Sequence, residues 1–179
     1  INQITAEDVF GPTGLLKNVH PNFESRPNQA KYAAMSEETL TQVKGVGVAE
    51  AGTGLGKSMA YLFGAFKNSL NIEEAGPTVV ACHTKHLQDQ LFYKDLPQLA
   101  ETLDVPIKAV MMKGRNNYIC KTRFDWLISD AKTLDGLDVE ALIPVLFWMQ
   151  WTKTGDLSEC SGFFNARRIW LKSTFCSEP

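Results

Sequence analysis

Ala51-Gly52-Thr53-Gly54-Leu55-Gly56-Lys57-Ser58 lies between a short apolar run, Val46-Gly47-Val48-Ala49, and a helix-like segment, Met59 to Phe66. An apolar run, a glycine loop, a lysine, a hydroxyl and a helix, in that order, make a cradle for phosphates. Glycines let the backbone curl until several N–H groups point inward, and the helix adds its positive end. Lys57 then reaches the β- and γ-phosphates of a nucleotide, and Ser58 holds Mg²⁺. The pattern usually opens on glycine, and Ala51 stands in that place here. The plain alternative is a glycine-rich turn with no ligand, which does not explain a Gly-Lys-Ser at the head of a helix.

Working outward toward the N-terminus, Pro27 disfavours helix at Arg26, and Asn28 is placed to cap a helix over residues 29 to about 43. The amide of Gln29 carries both a donor and an acceptor, the pair presented in reverse by the N6 and N7 edge of adenine. Phe23 is available to stack on the same base. A surface glutamine in a first helical turn would look the same in isolation; the phosphate loop downstream favours the nucleotide role. Residues 1 to 22 hold the turn signals Phe10-Gly11-Pro12-Thr13-Gly14 and His20-Pro21 and suit an irregular opening segment.

In the other direction, Met59, Leu62, Phe63 and Phe66 recur at helical spacing and should face a core. Pro77-Thr78-Val79-Val80-Ala81-Cys82 suits a buried strand, His83 to Leu91 a helix, and a further helix follows Pro97. Val105-Pro106-Ile107-Lys108-Ala109-Val110-Met111 suits a third strand. Strands and helices alternating at this spacing predict an α/β fold: a P-loop motor lobe with a parallel sheet and flanking helices, its glycine loop beyond the carboxyl end of a strand. After Lys113 the strand pattern stops. Residues 1–113 are therefore expected to form the first part of the lobe, and residues 114–179 a small, mainly helical insert, with a turn at Gly155-Asp156 and a last helix over 163 to 171.

The chain has 179 residues, 44% hydrophobic and 21% charged, with a formal net charge of −2. A core of ordinary size is affordable, and a globally basic nucleic-acid binder is excluded, so any DNA groove must be local. No run is long and apolar enough to span a bilayer, and Ile1 to Asp8 lacks the form of a secretion signal. A cytoplasmic protein is the expectation. Its four cysteines, Cys82, Cys120, Cys160 and Cys176, are then reduced or metal-bound rather than disulfide-bonded.

Four segments in order carry a family resemblance: Arg26-Pro27-Asn28-Gln29, then Glu50 to Ser58, then His83-Thr84-Lys85-His86-Leu87-Gln88-Asp89-Gln90-Leu91, then Lys113-Gly114-Arg115-Asn116-Asn117-Tyr118-Ile119-Cys120. Together they resemble the DinG/XPD family of superfamily-two, iron–sulfur DNA helicases, on its DinG branch, over essentially the whole chain. The resemblance implies a RecA-like lobe. It implies that Arg26 and Gln29, with Phe23 stacking, read adenine, and that Ala51 to Ser58 hold ATP and Mg²⁺. It implies that Thr84 and Gln88 touch the DNA backbone, where capping and solvation are the plain alternatives. It implies a cluster of the 4Fe–4S type held by four thiolates. Cys120 matches the first ligand and Cys176 is the candidate for the second; Cys160 is the weaker candidate, and Cys82 is expected in the core.

The whole enzyme is then expected to be an ATP-hydrolysing helicase in DNA repair, moving 5′ to 3′ on single-stranded DNA at duplex junctions. A monomer recruited to a larger nucleoprotein complex is compatible with that. No Asp-Glu-Ala-His motif, close cysteine pair or second motor lobe appears in the sequence. The chain thus looks like the N-terminal part of a helicase, expected to have little ATPase activity alone. Three alternatives stay open: a CRISPR-associated or other DinG relative with a vestigial, cluster-free insert; a nucleotide-binding adaptor without translocation; and a structural zinc site using Cys120, Cys160 and Cys176.

Overall fold

The computed structural model describes residues 3–42, 44–70, 77–130, 132 and 134–161. It divides into two compact units, Ile1–Met111 and Met112–Pro179.

The first unit starts from a capped turn. Thr5 Oγ1 accepts from the backbone N–H of Asp8 at 3.2 Å, and the Asp8 carboxylate accepts from Thr5 N at 2.8 Å. This reciprocal pairing satisfies two otherwise unpaired donors and opens α1 (Ala6–Phe10). A second short helix, α2 (Leu15–Val19), follows. Helix α3 (Pro27–Thr41) has Pro27 in its first turn, where a missing N–H costs nothing, so Arg26 rather than Asn28 is its N-cap. Helix α4 (Lys57–Leu70) starts at the lysine of the glycine loop.

Helices α3 and α4 make the principal packing contact of this unit. Their approach is set by small side chains: Ala30, Ala33 and Ser36 are buried along α3, and Ala60 is buried on α4. A Cβ on Gly64 would lie 2.8 Å from the backbone of Ser36 and Glu37, so a glycine is required for contact this close. Around this pair Val9, Phe10, Leu16, Phe63 and Leu99 are fully buried. The rings of Phe10 and Phe63 meet edge to face with centroids 5.8 Å apart. Lys67, 3% exposed, is buried beside the Glu37 carboxylate at 3.2 Å and donates to the Ile4 carbonyl at 2.8 Å.

Residues 85–103 form one winding rod. Helix α5 (Lys85–Gln90) runs into a π-helical turn, Leu91–Asp95, and then into α6 (Leu96–Leu103). The wider turn just precedes Pro97, whose ring would collide with the carbonyl four residues back in a regular helix. The rod stops at Asp104, in the left-handed conformation (φ 52°).

The expected parallel sheet is not present. Among the described residues there is no β-strand, only one isolated antiparallel bridge, Tyr118 to Asp156. The three expected strands, over 46–49, 77–82 and 105–111, contain no regular secondary structure. Val46 and Val48 are each 91% exposed, and Val79 and Val110 also face outward. The α/β, RecA-like assignment is therefore corrected to a mainly helical architecture. Apolar β-branched runs favour an extended backbone, but a strand exists only when a neighbour accepts its N–H groups and donates to its carbonyls. That pairing is long-range, and the residues of a run do not specify it.

The second unit is also helical. Arg115–Asn117 forms a single 3₁₀ turn. Helix α7 (Lys121–Ser129) and helix α8 (Gly136–Trp148) follow, the latter opened by a reciprocal cap between Asp135 and Asp138. Phe124, Leu142, Val145 and Cys160 form its core. A buried ion pair ties residue 113 to the turn at 156: Lys113 Nζ lies 2.8 Å from Asp156 and donates to Ser158 Oγ at 3.0 Å. Burial would raise the Asp156 carboxyl, but the hydrogen bonds from Lys113 and Ser158 outweigh it and hold it below its ordinary value. The expected helix over 163 to 171 lies outside the described residues.

No helix among the described residues is long and apolar enough to cross a membrane.

Candidate nucleotide site

The glycine loop rises directly into α4. Gly54 and Gly56 have φ of 81° and 80°, a conformation that side chains with a Cβ rarely adopt. These two residues turn the chain sharply enough for Lys57 to reach back over the loop. Its ammonium donates to the carbonyls of Ala51 and Gly52, each at 2.8 Å. Gly52 differs from Gly56 in space and from Gly54 in backbone: a Cβ built there meets no atom within 4 Å, and its φ is not in the left-handed range.

Gln29 lies in the first turn of α3, yet its Nε2 donates to the carbonyl of Gly56 at 3.1 Å. The residue is buried (4% exposed), and the approach is so close that a Cβ on Gly56 would collide with the amide. A residue 27 positions upstream is thereby locked to the loop. One N–H of an amide serves this bond; the second N–H and Oε1 complete its capacity.

Two cavities lie beside the loop; the lock lines the first, and Arg26 is the wall they share. The first, about 300 Å³, is lined by Phe23, Arg26 and Gln29, with Leu16, Gly56 and Met59 among its other walls. The second, about 580 Å³, is lined by Ala51 to Leu55 together with Arg26, Asn28, Tyr32 and Glu50. Arg26 borders both, and its guanidinium lies 3.6 Å from the Glu24 carboxylate in an exposed pair. The arrangement offers an aromatic residue and a side-chain amide on one side, and the glycine loop with the Arg26 guanidinium on the other. Asn28, Tyr32 and Glu50 were not predicted as cavity residues; Asn28 and Tyr32, four residues apart on α3, share a face with that side of the helix.

Ser58 stands at the head of α4, and Tyr61, one turn further on, is half-buried. Burial pushes the Tyr61 phenol above its ordinary value, against the opposing influence of the nearby Ser58 hydroxyl.

The other expected site residues lie elsewhere. Thr84 is the N-cap of α5, its hydroxyl accepting from Leu87 N at 3.2 Å, so the capping role is realised. It is exposed, and Gln88 is half-buried. Cys82 is half-buried rather than fully in the core, packed against the apolar cluster of the first unit. Cys120 is half-buried at the N-cap of α7. Cys160 is 1% exposed in the core of the second unit, and burial raises its thiol, which disfavours the thiolate a metal needs. Cys176 lies outside the described residues. Among the described residues no three His, Cys, Asp or Glu side chains assemble as metal ligands.

Comparison with known proteins supplies the family. The chain is 36% identical over 159 residues to ATP-dependent DNA helicase YoaA of Haemophilus influenzae, an alignment covering 89% of this chain and 23% of that protein. It is 31% identical over 166 residues to ATP-dependent DNA helicase YoaA of Escherichia coli, covering 91% of this chain and 24% of the relative. It is 34% identical over 148 residues to 3'-5' exonuclease DinG of Staphylococcus epidermidis, covering 81% of this chain and 16% of that protein. The chain belongs to the DinG-like helicase family. It spans less than a quarter of the length of these DinG-like relatives, some named for helicase and some for exonuclease activity. The match therefore carries the family rather than the reaction of any whole protein. No family model and no solved structure matches the chain.

Proposed function

We propose that the first unit is the nucleotide-binding part of an ATP-driven DNA helicase. The observation that carries this is the lock between Gln29 and Gly56, which joins a base-sized cavity to a phosphate-type glycine loop. Adenine would lie against Phe23 with its edge toward Gln29, and its polyphosphate would extend past Arg26 onto the amides of residues 52 to 58. Lys57 would move its ammonium from two carbonyls to the phosphates. A serine hydroxyl is a hard oxygen donor of the type Mg²⁺ selects, and Ser58 at the head of α4 fits that ion. Bound Mg²⁺ supplies charge neutralisation at the phosphates. Family resemblance supports translocation 5′ to 3′ on single-stranded DNA, with Thr84 and Gln88 on the strand.

Cys120 fits a thiolate ligand by its position at a helix N-terminus, and an iron–sulfur cluster bound there would be a cross-link holding the second unit. Its partner would be Cys176.

The test of ATP binding is Lys57→Ala in the full-length protein, with affinity for a fluorescent ATP analogue as the readout. Affinity should fall at least about ten-fold, the loss of one charge-assisted contact. Unchanged affinity would remove the basis for the proposal.

A further inference from the structure

We infer that Gln98 is a second base-reading residue, whose side-chain amide pairs with the edge of adenine that Gln29 leaves free. The inference deepens the ATP-binding proposal and rests on it.

Gln98 belongs to α6, far in sequence from residues 22–29, yet it lines the same cavity of about 300 Å³ as Phe23 and Gln29. The other polar side chains on that wall, Asn22, Glu24 and Arg26, are exposed. Gln29 is buried and Gln98 half-buried, so these two amides are the polar groups withdrawn from water. Leu16 and Met59 are buried and apolar, and Phe23 adds a ring. Apolar walls with two sheltered amides suit a flat, hydrogen-bonding ligand such as a purine.

The helix fixes where Gln98 stands. Leu99, Thr102 and Leu103 are buried, and the Thr102 hydroxyl donates to the Gln98 carbonyl at 2.7 Å. The π-helical turn before α6 takes in one residue more than a regular turn, which rotates the helix beyond it by about 100°. In that phase Leu99 enters the core and its neighbour Gln98 falls on the cavity.

The chemistry of adenine calls for two amides. Its amino group carries two N–H groups, one beside N7 and one beside N1. The bond from Gln29 to Gly56 commits one amide N–H, leaving Oε1 and the second N–H for N6 and N7. The N6 and N1 pair lies on the other side of the amino group, and enclosing it without partners is costly. Gln98 supplies the acceptor and the donor that this pair requires.

The experiment is Gln98→Leu in the full-length protein, which removes the amide at similar size. The ligands are ATP, purine riboside triphosphate, which lacks the amino group, and inorganic tripolyphosphate, each titrated with Mg²⁺. ATP affinity should fall roughly five- to ten-fold, the scale of one net hydrogen bond or slightly more. Tripolyphosphate affinity should be unchanged, and the preference for ATP over purine riboside triphosphate should shrink. Unchanged ATP affinity, an equal loss for tripolyphosphate, or an undiminished preference would overturn the inference. Failure of the unmodified protein to bind ATP would instead overturn the proposal on which it rests.

Discussion

Two glycines of the same loop should respond in opposite ways to one added methyl group. Gly56 has φ 80° and its carbonyl holds Gln29. Gly56→Ala forces a side chain into the left-handed region, at about 1–2 kcal/mol. Its Cβ would also displace the Gln29 amide, costing about 1 kcal/mol for the lost bond. Reduced freedom of the unfolded chain returns at most about 1 kcal/mol. The net loss is about 2 kcal/mol, or roughly 10 °C in unfolding temperature for a unit of this size. Gly52 has no such constraint, since its φ lies outside the left-handed range and a Cβ there touches nothing within 4 Å. Gly52→Ala should therefore change stability by less than about 1 kcal/mol. The methyl would instead stand in the cavity that the phosphates are proposed to fill, where overpacking of about 1–3 kcal/mol means roughly ten-fold or more in affinity. Thermal unfolding and ATP titration on both variants separate the effects. A Gly52→Ala variant that binds ATP like the parent, or a Gly56→Ala variant as stable as the parent, would refute the reasoning.

Lys67→Met keeps the aliphatic stem but removes the cation from Glu37 and Ile4, and should cost about 1–3 kcal/mol in urea unfolding, less than a fully buried pair because Glu37 is partly solvated. Asp156 has a depressed folded pKa, so its contribution is complete above the ordinary value of 3.8 and is lost as pH falls from there through the lower folded value. Unfolding of the second unit should steepen with acid in that window, whereas Asp156→Asn, less stable throughout because Lys113 is left buried, should lose that part of the slope. Cys120→Ser in the full-length protein should lower bound iron per chain, while Cys160→Ser should leave iron unchanged and lower stability by roughly 1 kcal/mol or more, since a hydroxyl replaces a buried thiol among Phe124, Leu142 and Val145. Equal iron in both variants would contradict the separate roles.

How much of this was legible in the sequence depended on the range of the interaction. The helix behind the loop was legible because Met59, Leu62, Phe63 and Phe66 repeat at its period, and these residues are buried. The start of α3 was nearly so: Pro27 signals the boundary, but the fixed φ of proline suits a first helical turn, which moved the cap from Asn28 to Arg26. The sheet was inferred from runs whose composition specifies only an extended backbone. Val46 and Val79 show the limit, since the same β-branched residues that fill a buried strand lie exposed here without a ladder. The π-helical turn at Leu91–Asp95 was hidden because a proline was taken to end one helix, whereas a widened turn lets the rod continue through it.

The site divides along the same line. Gln29 and Phe23 could be chosen before the fold was known, because an amide that matches an adenine edge and a ring that can stack on it are properties of the side chains alone, and Arg26 came from the family resemblance. The lock between Gln29 and Gly56 could not, since it depends on how closely α3 approaches α4. That distance is set by Ala30, Ala33, Ser36 and Gly64, residues without functional chemistry. Enlarging any of them would move Gln29 relative to the loop without touching either, and the two cavities would separate at Arg26. The small side chains between the helices are therefore as much a part of the proposed nucleotide site as the glycines that line it.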